Sequence, residues 1–229
     1  TSNKDFTAES AVLLNVQNSP FDDKATLVRA TTGDGTITGA TSDTGKVGNA
    51  LRFSGDGSQY VSVSGIYPNA DVSSTTWSFN MWVKLDIDSE HQALLTSGSS
   101  SSDRIRFTYD KNNDDFGVTE HGIVSGAYGG VTLTDSITRT SGVWYMVTFV
   151  RDGLDWEHYV NGSSTGTATQ NVAGIPPAAH TDWEIGKIVG SSGESMDGLI
   201  DETTFWSVAI DADDVTALYN SGNGIAYTS

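Results

Sequence analysis

MDGLIDETTFWSVAIDADDVTALYNSG, from Met196 to Gly222, holds a strand followed by a helix. Met196 to Ser207 reads as the strand, apolar or Thr-rich except for two adjacent acids, Asp201 and Glu202. Acids are depleted in strands because a buried carboxylate is costly unless paired, hydrogen-bonded or metal-bound. Asp201 therefore needs a partner. Asp211 to Asn220 reads as the helix. Asp211 is a suitable N-cap, and Asp213 and Asp214 put negative charge in the first turn, where the helix dipole favours it. Val215, Leu218 and Tyr219 form an apolar stripe, and Gly222 lies just past the end.

Working outward, short apolar-alternating runs recur between turn clusters. They are Ala11–Val16, Ala50–Phe53, Tyr60–Val63, Trp77–Lys84, Gln92–Thr96, Arg104–Tyr109, Val131–Leu133, Trp144–Val150, Glu157–Val160, Glu184–Ile188 and Gly198–Val208. That spacing predicts an all-β sandwich or barrel. Asn161-Gly162 after Tyr159-Val160 predicts a type I′ hairpin turn. Asp34-Gly35, Asp56-Gly57 and Asp152-Gly153 are turns of similar chemistry. In Trp77–Lys84 the odd positions, Trp77, Phe79, Met81 and Val83, form one apolar face. Ser78, Asn80, Trp82 and Lys84 form the other, which is expected to be partly wet. Trp77, Trp144 and Trp206 are expected in the core, while Trp82 and Trp183 are left open.

The chain has 229 residues, no cysteine and a formal net charge of −17. No linker or repeat divides it, so residues 1–229 read as one domain, with Thr1–Glu9 as a possible leader or linker. Disulfides, thiol nucleophiles and cysteine-ligated zinc are excluded. The charge argues against nucleic acid and anionic membranes as partners, because phosphate binding needs basic patches. No run of about 18 apolar residues occurs, so no membrane-inserted helix is expected. A start at Thr1 without a signal pattern suggests a processed product or an excised module.

Four segments together resemble laminin-G-like and pentraxin-like domains. GKVGNALRFSGDGSQYVSV (Gly45–Val63) is similar to their "G-x-x-G-x-A-L-x-F" opening, and WSFNMWVKL (Trp77–Leu85) to their first core strand. VWYMVTFVRDGLDWEHYVNG (Val143–Gly162) is similar to their "W-x-x-V…Y-V-N-G" hairpin. Met196–Gly222 is similar to their closing "G-x-I-D-E" element. The resemblance implies the concanavalin A-like fold, an antiparallel jelly roll with one convex and one concave sheet and, here, one short C-terminal helix. It implies an extracellular or cell-surface location, within a larger protein. It also implies a structural calcium on the convex side. The matching positions are Asp22 or Asp23, a carbonyl near Gly55, and Asp201. Calcium suits such a mixed carbonyl and carboxylate set. The alternative is that Asp201 accepts backbone N–H or hydroxyl donors with no metal.

The superfamily hosts lectins, adhesion modules, hydrolases and lyases, so function rests on the site. The oxygen donors of the pentraxin ligand-binding calcium site are absent from Gly186–Gly190, and Asp103 alone falls near its other half. No "E-x-D-x-x-E" strand or Gln-x-His strand occurs, and Asp86-Ile87-Asp88 with Glu90 reads as a solvated turn. Asp110–Asp115 superficially resembles an EF-hand start but lacks its Gly and Glu, and reads as a hairpin turn. The leading expectation is a non-catalytic module that binds a glycan or polysaccharide on its concave face. Arg104 and Arg106, on one strand face, are candidates to clamp a carboxylate or sulfate, with neutralisation of neighbouring acids as the alternative. Trp156 and His158 are further candidates, each with a packed core role as the alternative. Tyr128 is expected on a loop tip, as a ligand contact or as a cover for the core edge. A lyase or hydrolase, or a structural or protein-binding spacer, remains the alternative.

Overall fold

A computed structural model describes residues 35–64, 76–100, 103–124, 127–135, 137–170, 182–190, 193–206 and 209–225. In chain order the strands are β1 (Thr36–Thr38), β2 (Thr41–Thr44), β3 (Asn49–Ser54), β4 (Tyr60–Ser64), β5 (Thr76–Leu85), β6 (Gln92–Ser100) and β7 (Asp103–Asp110). There follow β8 (Asp115–Val124), β9 (Ala127–Thr134), β10 (Trp144–Asp152), β11 (Asp155–Val160), β12 (Ser163–Thr169), β13 (Asp182–Ile185) and β14 (Asp197–Trp206). Helix α1 (Ala212–Tyr219) comes last. Among the described residues the strands form two antiparallel sheets of seven. One has the order β1-β4-β13-β6-β7-β8-β9, the other β12-β11-β10-β5-β14-β3-β2.

The period-2 pattern explains the sandwich. Trp77, Phe79, Met81, Val83 and Leu85 of β5 face inward, beside Tyr145, Val147 and Phe149 of β10. Val61, Val63, Leu95, Ile105, Phe107, Tyr109, Trp183 and Ile185 face them from the other sheet. Phe107 sits centrally, with ring centroids 4.9 Å from Phe79, 4.8 Å from Phe149 and 6.1 Å from Trp77. Each fully buried aromatic or aliphatic side chain contributes on the order of 1.5–3 kcal/mol.

The second face of β5 is not wet. Ser78, Asn80 and Trp82 are as buried as the core face. Helix α1 lies over them and sets Ile210, Val215 and Leu218 against Trp82, Met146, Val150, Tyr159 and Trp206. The polar pair on this face stays satisfied: Ser78 accepts the Ile210 N–H, and Asn80 accepts the Thr148 hydroxyl. The helix is held by a reciprocal cap. Asp211 accepts the Asp214 N–H and Asp214 accepts the Asp211 N–H, each at 3.0 Å. At the other end Asn220 adopts φ 48° and closes the helix.

Asn161 and Gly162, at φ 51° and 80°, make the expected type I′ turn between β11 and β12. Asn161 also exchanges hydrogen bonds with the Met146 backbone, extending the ladder past the turn. Asp110–Asp115 is a hairpin turn between β7 and β8, and Asp86–Glu90 is an exposed turn before β6.

Other expectations need correction. β1, β2 and β12 were not legible because their sequences, such as TSDT and SSTGTAT, lack a run of apolar alternation, and each adds on by pairing to a neighbour; β8, whose Phe116 and Val118 do alternate into the core, was also missed. β13 stops at Ile185, because Gly186 turns away at φ 89°. Trp144 is only partly buried, beneath Lys84 on the outer face, whereas Trp183 and Trp82 are both buried. The expected strand Ala11–Val16 lies outside the described residues.

Candidate functional site

Asp201 faces away from the core, opposite Trp82 on β5. It is 2% exposed and needs donors. The Gly45–Gly48 loop between β2 and β3 supplies two. Asp201 Oδ2 accepts the Lys46 N–H at 2.7 Å and the Val47 N–H at 2.9 Å. Oδ1 accepts the Glu202 N–H at 2.8 Å, where the strand bulges and Glu202 adopts φ 45°. Burial raises the Asp201 pKa to about 6 against the pull of these three N–H groups. The loop approaches so closely that a Cβ at Gly45 would lie 2.5 Å from Oδ2.

Asp201 and Gly55 do not share a site. Ile200 pairs with Leu51, and Asp197 pairs with Ser54, so Gly55 lies at the Asp197 end of β14. Four residues of strand separate the two acids, about 13 Å, whereas two ligands of one calcium lie within about 5 Å of each other. The acid against Gly55 is Asp197, whose Oδ2 would be 3.2 Å from a Cβ placed there. Asp22 and Asp23 lie outside the described residues. Among the described residues no three His, Asp or Glu side chains group to hold a metal.

Arg104 and Arg106 emerge on the outer face of β7, because Ile105, Phe107 and Tyr109 take the inner one. Cross-strand register sets Arg106 in a row: Glu184 on β13, Thr96 on β6, Arg106, Thr119 on β8 and Thr132 on β9. The Thr96 hydroxyl donates to the Lys187 carbonyl at 2.8 Å and accepts the Val189 N–H at 3.1 Å. The segment after β13 thus folds over β6 and walls one side of this face. Lys187 pairs with Glu184 at 3.7 Å and lies over the Tyr60 ring. Both arginines are half-buried, and the Nε of each is enclosed without a hydrogen-bond partner among the described residues. Burial, then the charge of Arg104, lowers the Arg106 pKa; Glu194 opposes this.

Trp156 and His158 are not on that face. Both point into the sandwich from β11, at 1% and 0% exposure, because the Glu157 and Tyr159 positions take the outer side. Trp156 packs edge-on against Trp77 at 5.1 Å, and His158 stacks on Phe149 at 4.4 Å. Neither can reach a ligand on the surface. Tyr128 lies within β9, paired with Ile123, and not on a loop tip. Asp103 begins β7.

Sequence reasoning missed a buried charged cluster beside His158. Asp135 pairs with Arg139, both side chains fully enclosed, and accepts the Ile137 N–H at 2.8 Å. Arg139 lies over the Phe116 and Tyr145 rings. Asp135 Oδ2 is 3.7 Å from His158 Nδ1. Burial, then Arg139, lowers the His158 pKa to about 3. Burial, then Asp135, raises that of Asp115 to about 6. These acids are enclosed, so the cluster ties the β9–β10 connection to the sheets and offers nothing to a substrate. Asp135 and Arg139, four apart in an irregular stretch, carry no pattern that marks them as buried.

The sequence profile of the Laminin_G_3 family, described as concanavalin A-like lectin/glucanases superfamily, matches residues 54–216. The chain belongs to this superfamily. No curated protein sequence matches it. Among solved structures, this laminin-G-like domain resembles domain 4 of AbnA, a GH43 extracellular arabinanase from Geobacillus stearothermophilus, in complex with arabinotriose. The TM-score is 0.65 at 18% identity, covering 86% of this chain and 93% of that one. The CBM40 of a Ruminococcus gnavus IT-sialidase, bound to alpha2,3 sialyllactose, matches with TM-score 0.58 and 14% identity over 74% and 96% of the two chains. The binding domain of Paraclostridial Mosquitocidal Protein 1 matches with TM-score 0.64 and 13% identity; this chain covers 86% of itself but only 49% of that chain. At these identities the likeness is one of fold.

Two outcomes follow from the geometry. Replacing Asp201 by Ala leaves two loop N–H groups without their acceptor and is expected to cost about 2–4 kcal/mol. Gly45→Ala, which collides with the same carboxylate, is expected to destabilise as well. Urea unfolding measures both, and a wild-type midpoint in Asp201→Ala rejects the role. The second outcome concerns pH. Folded His158 refuses a proton that the unfolded chain takes, so its contribution falls as pH drops from about 6.5 toward 3. Asp115 and Asp201 act oppositely: their raised pKa favours folding below the ordinary value of 3.8, an effect lost as pH rises through about 6. His158→Phe removes only the first effect. Between about pH 7 and about pH 4.5 the variant is expected to gain stability relative to wild type. Urea midpoints at both values test this, and equal pH slopes contradict a buried neutral His158.

Proposed function

We propose that this domain is a non-catalytic glycan-binding or adhesion module whose contact surface is the outer face of β7, β8 and β9. One observation carries the reading. Helix α1 covers the outer side of one sheet, while the outer side of the other presents Arg104, Arg106 and a row of threonines beside a wall made by residues 187–189. Fixed polar donors on a rigid sheet suit sugar hydroxyls, which need many aligned hydrogen bonds at low ordering cost. Arabinotriose and sialyllactose in complex with neighbours of this fold support the ligand class by analogy. The same neighbours support secretion and membership of a larger protein, since the first is a domain of an extracellular enzyme. Among the described residues no helix is long and apolar enough to cross a membrane.

A glycan array combined with a reducing-sugar assay tests this. Binding without release of reducing ends is expected. Release from a bound glycan overturns the non-catalytic reading, and silence across the array overturns glycan binding.

Structural calcium belongs to the same proposal, with Asp197, the acid against Gly55, in place of Asp201, and Asp22 or Asp23 as the loop donor. An ion bound only to the folded chain raises its stability. EDTA is therefore expected to lower the melting temperature. An unchanged melting curve, with no metal by elemental analysis, would remove calcium from the account.

A further inference from the structure

We infer that the ligand of the β7–β9 face is an acidic glycan, its carboxylate or sulfate held between Arg104 and Arg106. This rests on the glycan-binding reading above and narrows it. The chain carries 12 Lys and Arg against 29 Asp and Glu. In such a chain a cation normally finds an acid, and several do: Arg52 bridges Asp43 and Asp86, Lys111 meets Glu90, Lys187 meets Glu184, and Arg139 meets Asp135. Lys46, Lys84 and Arg151 lie instead over the Trp82, Trp144 and Trp156 rings, whereas Arg104 and Arg106 have neither an acid nor a ring against them among the described residues. Each lacks an ion pair among the described residues, although they are two apart on one strand face, where each raises the electrostatic cost of the other.

Placement adds to this. Side chains at alternate strand positions stand roughly 6–7 Å apart, so two guanidinium groups can grip one anion from both sides. Their Nε atoms are withdrawn from solvent and lack hydrogen-bond partners among the described residues, so neither guanidinium is tied to a protein acceptor through Nε. Thr108, beside them on β7, and Thr119 and Thr132, across the row from Arg106, offer hydroxyls to the rest of the sugar. Glu184 and Glu194 border the face and would repel an anion that strayed from the arginines, which fixes where the charge sits. With a net charge of −17 the domain repels anions over most of its surface, so acidic glycan binding depends on this pair.

The experiment compares sodium polygalacturonate, which has carboxylates only, and heparin, which carries sulfates, with neutral arabinan and laminarin. Affinity electrophoresis and calorimetry are run on wild type and on Arg104→Gln with Arg106→Gln. At least one acidic polymer is expected to bind, with affinity falling as salt rises. Binding of polygalacturonate shows that a carboxylate suffices, and binding of heparin alone, which carries both groups, assigns the sulfate. The double variant is expected to lose about tenfold or more in affinity while its melting temperature moves little. Should that variant unfold, Arg104→Lys with Arg106→Lys keeps charge and stem but not the planar fork, and a severalfold loss is expected; undiminished affinity there overturns recognition by the fork. Neutral glycans bound equally by wild type and variants overturn the acidic assignment while leaving the binding module intact. No binding to any of the polymers removes both.

Discussion

A carboxylate withdrawn from water has to be satisfied by the protein, and Asp201 is where that requirement shapes this fold. Its two oxygens take three backbone N–H groups, two of them from the Gly45–Gly48 loop. The loop is thereby pinned to β14, which orders β2 and β3 at the end of their sheet. The bulge that follows Asp201 turns β14 so that Trp206 continues beneath the helix. Lys46 lies over the Trp82 ring, 4.9 Å from its centre, and Tyr219 of α1 stacks on the same ring at 5.8 Å. Loop, strand and helix therefore meet around one aromatic side chain and one buried charge. Backbone donors satisfy both Asp201 oxygens.

The two sheets share a core but not a fate on their outer sides. On one, α1 buries a second apolar layer, so even Ser78 and Asn80 lose contact with water and must find partners within the protein. On the other, the outer face of β7 carries Arg104, Arg106 and Thr108, and neither arginine makes an ion pair among the described residues. Charge is treated differently again inside the sandwich, where Asp135 and Arg139 are enclosed as a pair against two aromatic rings. Such a pair adds little net stability but is costly to break. It positions a connection, whereas Arg104 and Arg106 on β7 are half-buried and carry no ion pair among the described residues.

Much of the fold was legible because it rests on local chemistry. Alternation marked β5, β7, β10 and β11, Asn-Gly marked a hairpin, and Asp211 marked the helix start. Strands such as β2 and β12 were illegible because their polar residues acquire strand geometry only from the neighbour they pair with. The site was less legible. Parity alone put Arg104 and Arg106 on one face, and the structure turns that face outward. Trp156 and His158 share a parity too, but nothing local says whether that parity faces the core or solvent.

The sequence by itself determined the period of each strand, the helix caps, the absence of disulfides and the excess of acid. Two separate motifs, the glycine loop at Gly45 and the acid at Asp201, were each visible there. Only the tertiary structure decided that they touch, that Asp197 and not Asp201 lies against Gly55, and that the helix dries the second face of β5. The physical reason is register. Along a strand, side-chain direction follows from sequence parity, but what stands across from a residue is set by pairing between segments that lie up to 155 positions apart.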